Sequence, residues 1–538
     1  MGGVLSQIQL QSFGRIPAAG RIMAVPLRFR SWVLSATNLI FILLVAGLSY
    51  GRMATRLLND AGIGWHIRNG EWILAHHAVT RIDPFSSSLS GGRWYAWEWL
   101  YDFAVAVIHH WTGLNGVVFF TAVVIAATFA LVFRLAVRRG TGLPLAAILV
   151  VLAVAGSAIH FFTRPHVLSW LLTVVWFWIL DCDDGVRRLL PWLPLLMILW
   201  VNLHGGFLLG FVLLGIYFGE SIVRHFVARD VIERAVTGKR ARVLATTALL
   251  CGLASLFNPY GYNLHAHVYR YLSDRFLMNH IDEFLSPDFH GAAQKCFLAL
   301  LLMVFLAVAA APEKLRLAHG FALLFAAYSG LYAARNIPVS SILFVLIGGP
   351  LLWQAIERAP SATAMWPRVR GWFSRLRNYG DRLTAMELRF SGFVWPVFFV
   401  ALGMWICGHQ GRLGSREIMQ AHFREGRFPV KAVDFIKAQG ARGPIFAVDY
   451  WGGYLIYRLY PESKVVVDDR HDFYGDQFLK DYLKAIRIRP GWEQVLDAMS
   501  VDTVLLPQDS PLANVLRETS DWKISYEDKT AALFEKTK

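Results

Sequence analysis

The stretch DAGIGWHIRNGEW, Asp60 to Trp72, follows an apolar run that begins near Trp32. An acid, a histidine and two tryptophans stand where the chain leaves that run. The nature of the run decides whether they belong to a soluble core or to a lipid surface. It reads WVLSATNLIFILLVAGLSYG, about 20 residues, which is enough to cross ~30 Å of hydrocarbon. A secretory signal has a shorter apolar core and a small-residue cleavage site, so this run is read as an uncleaved membrane span.

Similar runs recur at about 115–134, 143–161, 166–180, 189–203, 205–223, 243–257, 293–311, 318–334, 337–353 and 391–408, giving eleven expected spans. Composition agrees: 538 residues at 55% hydrophobic, with 20 Trp and 37 Phe, exclude an ordinary soluble protein of this size. The net charge of +15 falls mostly in short loops between apolar runs, where basic residues set topology, so nucleic acid is not implied as a partner. Cys182, Cys251, Cys296 and Cys407 are scattered and form neither a disulfide framework nor a zinc motif.

The segment EWLYDFAVAVIHHW, residues 98–111, is short for a span and carries Glu98, Asp102, His109 and His110. It suits a helix lying in the interface. With that segment flat and Arg15, Arg21, Arg28 and Arg30 cytoplasmic, the strongly basic loops all fall inside. These hold Arg134, Arg138 and Arg139; Arg187 and Arg188; Arg224 to Arg242; Lys314 and Arg316; and Arg358 to Arg389. The expected division is a cytoplasmic segment 1–31, a transmembrane part 32–410 with a first external loop 53–114, and an external domain 411–538. The expected location is a cell inner membrane, with the C-terminal domain periplasmic or extracellular.

This topology places six polar motifs on the outer face: DAGIGWH, FTRPH, NLHGG, NPYG, HIDEFLSPDFHG and ARN. Ionisable groups near membrane depth are costly unless they line a wet site or pair, so their gathering at one level reads as a functional site. The inner loops read as plain basic linkers. Beyond Gly411 the composition becomes soluble. PVKAVDFIKAQG, GPIFAVDYWGGYLIYRL, KVVVDDR, DTVLLP and SPLANVLRE alternate helical and strand patterns, an α/β domain with a small, mostly parallel sheet.

Asp60 can act as base or metal ligand, or simply cap a helix. His66 titrates near neutral pH and can move a proton, or can be just hydrogen-bonded. Trp65 and Trp72 suit an interfacial belt, and Trp65 is also a candidate substrate contact. Asp83 before Pro84 marks a turn. Glu98, between two tryptophans, either opens a helix or holds a sugar. Arg164 and His166 flank Pro165, and Arg335 and Asn336 precede Pro338. Arginines there are forked donors for phosphate or snorkel to headgroups. Asn202 and His204 border an external hairpin, as caps or as ligand contacts. Glu283 belongs to an acidic and histidine-rich dozen residues that match no metal motif. Asp468, Asp469 and Asp472 are expected just past a strand with Arg470 between them, and Trp451 at the end of the preceding strand, so that both loops meet on one edge of the sheet.

These motifs resemble the glycosyltransferase-C (GT-C) superfamily of polytopic enzymes, which includes protein mannosyltransferases, aminoarabinose transferases and oligosaccharyltransferases. The chain looks most like a bacterial branch that reads D-x-x-x-G-W-H-x-R-x-G-E-W-I, D-P-F-S, W-x-x-E-W-L, N-L-H-G-G, N-P-Y-G, W-G-G-Y-L-I and D-x-R-x-D-x-Y-G. Here those are Asp60 to Ile73, Asp83 to Ser86, Trp94 or Trp97 to Leu100, Asn202 to Gly206, Asn258 to Gly261, Trp451 to Ile456, and Asp468 or Asp469 to Gly475. The resemblance implies a first external loop carrying the essential acid, and a polyprenyl-phosphate-linked sugar as donor. Members often pair the first-loop acid with a second one close by. Gly62 stands in that place, which leaves Asp83, Glu98 or Glu283 as partner and a divalent metal open as cofactor.

The expected function is transfer of a sugar from a polyprenyl-phosphate donor to a glycan, lipid or protein acceptor on the outer face. Asp60 would be the general base, and Arg164 and Arg335 would stabilise the leaving phosphate. Trp451, Asp469, Arg470 and Asp472 are expected on the acceptor side. A transporter or flippase for a lipid-linked saccharide, or a non-catalytic envelope-polysaccharide assembly protein, are the alternatives.

Overall fold

The computed structural model describes residues 32–182, 189–310, 315–361, 366–390, 392–440 and 443–537. The N-terminal segment 1–31 with its arginines, together with Arg187, Arg188 and Lys314, lies outside the described residues. The chain is a polytopic α-helical protein with small sheets in its C-terminal region. Among the described residues five helices are long and apolar enough to cross a membrane, or seven if each of two bent pairs counts as one span. Three shorter apolar helices, His166–Asp181, Leu190–Leu203 and Leu317–Tyr332, stand beside them.

The first apolar helix, Ala36–Ser49, packs along the longest helix, Trp99–Arg138. That long helix contains the 98–111 segment. Gly113 interrupts it with φ 61° and ψ −158°, a left-side conformation that a side chain disfavours. The interruption separates the part carrying Asp102 from the apolar part that begins at Leu114. The first-loop helix Gly62–His76 lies against the part before the break, where Tyr101, Asp102, Val105 and Ala106 are fully buried.

The motifs expected on one face do meet at one end of the bundle. The amide of Thr163 donates to Leu57 O at 3.0 Å, and that of Ala334 to Leu285 O at 2.9 Å. The Tyr260 hydroxyl donates to Thr80 O at 2.7 Å and accepts from the amide of Ala96 at 2.8 Å. The opposite end is not a set of plain basic linkers. Asp181 accepts from the Tyr217 hydroxyl at 2.6 Å, pairs with His319 at 2.6 Å and meets Arg139, while Arg316 reaches Glu220 at 3.1 Å. Four helices supply these groups, so sequence order hides the cluster.

In the C-terminal region, a two-stranded hairpin joins β1 (Arg412–Leu413) to β2 (Arg416–Glu417). The main sheet holds β3 (Ile445–Ala447), β4 (Thr503–Pro507), β5 (Trp522–Glu527) and β6 (Ala531–Lys536) in the order β3-β4-β6-β5. Only the β3–β4 pair is parallel, so the mostly parallel sheet expected from sequence is mixed and mostly antiparallel. The last two strands form a hairpin and reverse direction across a short connection.

The expected strand KVVVDDR reduces to bridges at Val465, parallel to Ile445 on one side and to Ser86 of the first loop on the other. Trp451 to Tyr454 are not a strand end but the first turns of the helix Asp449–Leu459. The first loop thus extends the C-terminal sheet: Ser87 N donates to Val465 O at 2.9 Å and Val465 N to Phe85 O at 3.2 Å. A second seam runs beside it. A Cβ on Gly64 would sit 2.1 Å from Gly453 O, so two helices approach backbone to backbone only because both positions are glycine.

A buried ion cluster locks the seam. Arg470, with 1% of its side chain exposed, reaches Asp83 Oδ1 at 2.6 Å and Asp468 Oδ2 at 2.6 Å. Its guanidinium lies 4.5 Å from the Trp94 ring centroid, and the Tyr474 hydroxyl donates to Asp468 at 2.8 Å. Asp83 also accepts from the amides of Ser86 at 2.7 Å and Phe85 at 3.3 Å, so the expected turn is present as part of the lock.

Two outcomes follow. Replacing Arg470 with Met leaves two carboxylates buried without their cation and is expected to cost about 3–5 kcal/mol in unfolding free energy, read by denaturant titration in detergent. Cysteines placed at Ser415 and Ser374 are expected to label from opposite sides in intact cells, the first from outside and the second only after permeabilisation; the reverse pattern would turn the protein over.

Candidate functional site

Asp60 stands just before the first-loop helix, and its Oδ1 accepts from the Gly62 amide at 2.8 Å, which is the helix-end role that its position allows. The same oxygen accepts from Arg164 Nε at 2.8 Å. Arg164 also pairs with Asp469, whose other oxygen accepts from Trp65 Nε1 at 3.0 Å. Trp65 is buried, with its ring centroid 3.6 Å from that of His66, so it is not a lipid-belt residue. Its indole N–H has a carboxylate to satisfy it in the interior.

Burial works against the Arg164 charge, and Asp60 and Asp469 outweigh it and keep the guanidinium charged. Burial lifts the Asp469 carboxyl to about 6 against the pull of Arg164, with Asp60 adding to the rise. One arginine shared by two acids is a stable way to hold all three in place. The separation expected between a transfer site and an acceptor-side edge is therefore not kept, because Asp469 shares Arg164 with Asp60.

Glu98 lies deeper. His66 Nε2 is 3.8 Å from its Oε2, and His204 Nε2 is 3.7 Å from its Oε1. Among the described residues no side-chain or backbone donor lies within hydrogen-bonding distance of this carboxylate. Burial pushes it up to about 8, against Arg164 and Arg335 and with the help of Asp472 and Glu283. Near neutral pH it holds a proton for most of the time, which a solvated glutamate does not.

Each flanking imidazole is oriented from behind. His66 Nδ1 lies 2.5 Å from Asp102 Oδ1, and Asp102 Oδ2 accepts from Asn69 Nδ2 at 2.6 Å. Thr80 completes that chain by donating to Asn69 Oδ1 at 2.6 Å. His204 Nδ1 accepts from the Gly206 amide at 3.0 Å and meets Ser169 Oγ at 2.8 Å, while Ser169 accepts from Trp200 Nε1 at 2.8 Å. Since Nδ1 accepts, a neutral His204 carries its proton on Nε2, directed at Glu98. Burial lowers both imidazoles well below their ordinary range, with Arg164 adding to the effect at His66 and Arg335 at His204. Both stay neutral at physiological pH.

Glu283 and Arg335 form the other rim. They pair at 3.3 Å, with Arg335 set 4.4 Å from the Phe284 ring centroid. Burial raises the Glu283 carboxyl, and Arg335 and Arg164 outweigh it and bring it down to about 2. The remaining candidates make contacts of their own. Asn202 accepts from Trp99 Nε1 at 2.7 Å and donates to Phe257 O at 2.8 Å; Asn336 donates to Ser329 O at 3.2 Å; and His166 bonds to His160 O at 2.8 Å. Trp451 donates to Arg427 O at 2.8 Å, and Asp472 pairs with His267 at 3.0 Å.

Asp102, Asn69, Ser169 and Trp200 were not singled out from sequence as site residues. The signal for Asp102 was present, a carboxylate inside an apolar helix, but the partner that explains it is 36 residues away. Among the described residues no three histidine, cysteine or acidic side chains stand close enough to hold a metal ion. Asp60 and Asp469 converge on Arg164 rather than on a common point.

No protein-family model matches the chain, and no curated protein is significantly similar to it in sequence. Solved structures do match. The apo oligosaccharyltransferase of Archaeoglobus fulgidus aligns with TM-score 0.53 at 11% identity, over 88% of this chain and 68% of that one. The same protein tethered to an acceptor peptide with the NVT sequon aligns with TM-score 0.52 at 11% identity, over 94% and 74%. The fold is GT-C. ArnT from Cupriavidus metallidurans in the apo state is more distant at TM-score 0.46 and 14% identity, over 93% of this chain and 96% of that one. On this GT-C frame the first loop, with Asp60 and the helix Gly62–His76, lies between the bundle and the C-terminal region.

The Glu98 shift has a measurable consequence for folding. Above its ordinary value of 4.5 the unfolded chain releases this proton, while the folded chain keeps it up to about 8. Wild-type stability relative to Glu98→Gln is therefore expected to fall as pH rises from 5 to 8 and to level off beyond, read as the difference in Tm between the two proteins.

Proposed function

We propose that the protein is a membrane glycosyltransferase that moves a sugar from a polyprenyl-phosphate-linked donor to an acceptor on the outer face of a cell inner membrane. The reading rests on the GT-C fold and on one observation above all. Glu98, an acid with no hydrogen-bond donor of its own, faces two oriented neutral imidazoles in a cluster rimmed by Arg164 and Arg335.

In this reading the acceptor hydroxyl attacks the anomeric carbon and its proton passes to Glu98, while the bond to the donor phosphate breaks and its electron pair leaves with the phosphate oxygen. A carboxylate titrating near 8 is a far stronger base than a solvated one, and the fraction ready to take the hydroxyl proton grows as pH rises towards 8. His66, held by Asp102, and His204, held by Ser169, flank the carboxylate and relay its proton outward. Arg335 and Arg164 take the growing phosphate charge. The base role expected of Asp60 goes to Glu98, since Asp60 Oδ1 is engaged by the Gly62 amide and by Arg164; Asp60 positions Arg164 instead.

With purified protein and a polyprenyl-phosphate sugar, Glu98→Gln is expected to lower kcat by roughly 100-fold or more while donor binding persists. The rising limb of the pH–rate profile, centred near 8, is expected to vanish with it. Asp60→Asn is expected to raise KM for the donor more than it lowers kcat. Full kcat in Glu98→Gln together with a dead Asp60→Asn would return the base role to Asp60.

A further inference from the structure

A cavity of about 720 Å³ lies two helical turns along from Asp60, and none of its lining residues belongs to the cluster around Glu98. One wall comes from Arg68 of the first-loop helix and from His109 and Leu114 on either side of the Gly113 break. The other comes from the connecting segment His422 to Glu425 and from Lys437, Tyr457 and Arg458 of the C-terminal region.

Charge is unevenly matched there. Arg68 pairs with Glu71 at 2.8 Å, Arg458 with Asp434 at 2.6 Å, and Glu425 with Lys431 at 3.6 Å. Arg424 and Lys437 are both exposed and, among the described residues, have no carboxylate within ion-pair range. The wall thus carries two unneutralised cations, the charge of a phosphate monoester. Aromatic rings share the lining. Arg68 lies 5.6 Å from the Tyr457 ring centroid, and the Tyr457 hydroxyl is 2.9 Å from His109 Nε2.

The level of the cavity is fixed by two apolar helices that end beside it. The long helix becomes apolar from Leu114, and the apolar helix Val394–Gly408 ends just before the connecting segment. The residues leading into that segment tie the two ends together: Ala421 N donates to Asn115 Oδ1 at 2.8 Å, and Met419 shares a buried cluster with Cys407 and Phe119. Trp111, 75% exposed, stands at the same level, as aromatic residues do at a lipid headgroup layer.

We infer that this cavity binds a phosphate-bearing ligand at headgroup level, through Arg424 and Lys437 with Tyr457 in the same wall. The site is independent of the transfer cluster. Two sources share this chemistry, the phosphate of a membrane lipid and a soluble phosphate ester.

The test uses the purified full chain in neutral detergent, with dihexanoyl phosphatidic acid titrated by calorimetry. Binding is expected to weaken at least tenfold in the double variant Arg424→Ala/Lys437→Ala, whose Tm should match wild type because both side chains are exposed, and to weaken with added salt. Dihexanoylglycerol, which lacks the phosphate, is expected not to bind. Competition by glycerol 3-phosphate at similar concentration assigns the source to a soluble ester, and failure to compete assigns it to a lipid. Unchanged affinity in the double variant, or equal binding of dihexanoylglycerol, would overturn the site.

Discussion

Everything around the candidate site depends on Arg470 being buried between Asp83 and Asp468. A guanidinium removed from water is tolerated only when its donors and the facing acceptors are all used. Here the carboxylates also accept from backbone amides and from the Tyr474 hydroxyl, so the cluster is closed. Asp83 belongs to the first loop and Asp468 to the C-terminal region, so the pairing fixes one against the other. With that register set, Val465 can bridge to Ser86, Gly64 can meet Gly453, and Asp469 falls beside Arg164.

The site built on this seam sorts its ionisable groups by what each can touch. Asp60 and Asp469 have a cation between them, whereas Glu98 has only neutral neighbours at arm's length. The first arrangement is rigid and charged, and the second is poised to gain or lose a proton. Desolvation decides the difference, since the arginines that act on Glu98 do so from a distance and do not overcome its burial. Such a split between two nearby acids is how a single site can both hold charge and move a proton.

Much of the frame was legible in the sequence because it is local or periodic. Apolar runs marked the helices, and Val430–Gln439, β3, β4 and Pro511–Glu518 fall where their patterns put them. The gathering of motifs at one end followed from charge and hydropathy, and Asp60, His66, Glu98 and Arg164 were singled out among them. What escaped was pairing. The antiparallel order of the sheet depends on which strands pair, and the bridge of KVVVDDR to the first loop and the burial of Trp65 depend on partners hundreds of residues away. Asp102 and Ser169 escaped for the same reason, because each acts on a histidine of another element.

The hydrogen bond from Trp65 to Asp469 spans 404 positions of the chain. A ribosome feeding this protein into a membrane therefore delivers Asp60, Glu98 and Arg164 long before it delivers the residues that hold them. Until the last segment has settled onto the first loop, Arg164 lacks one of its two carboxylates and Asp83 lacks its cation. The cluster can exist only in a finished molecule, and an interrupted or clipped copy would sit in the bilayer with its spans in place and its chemistry unassembled.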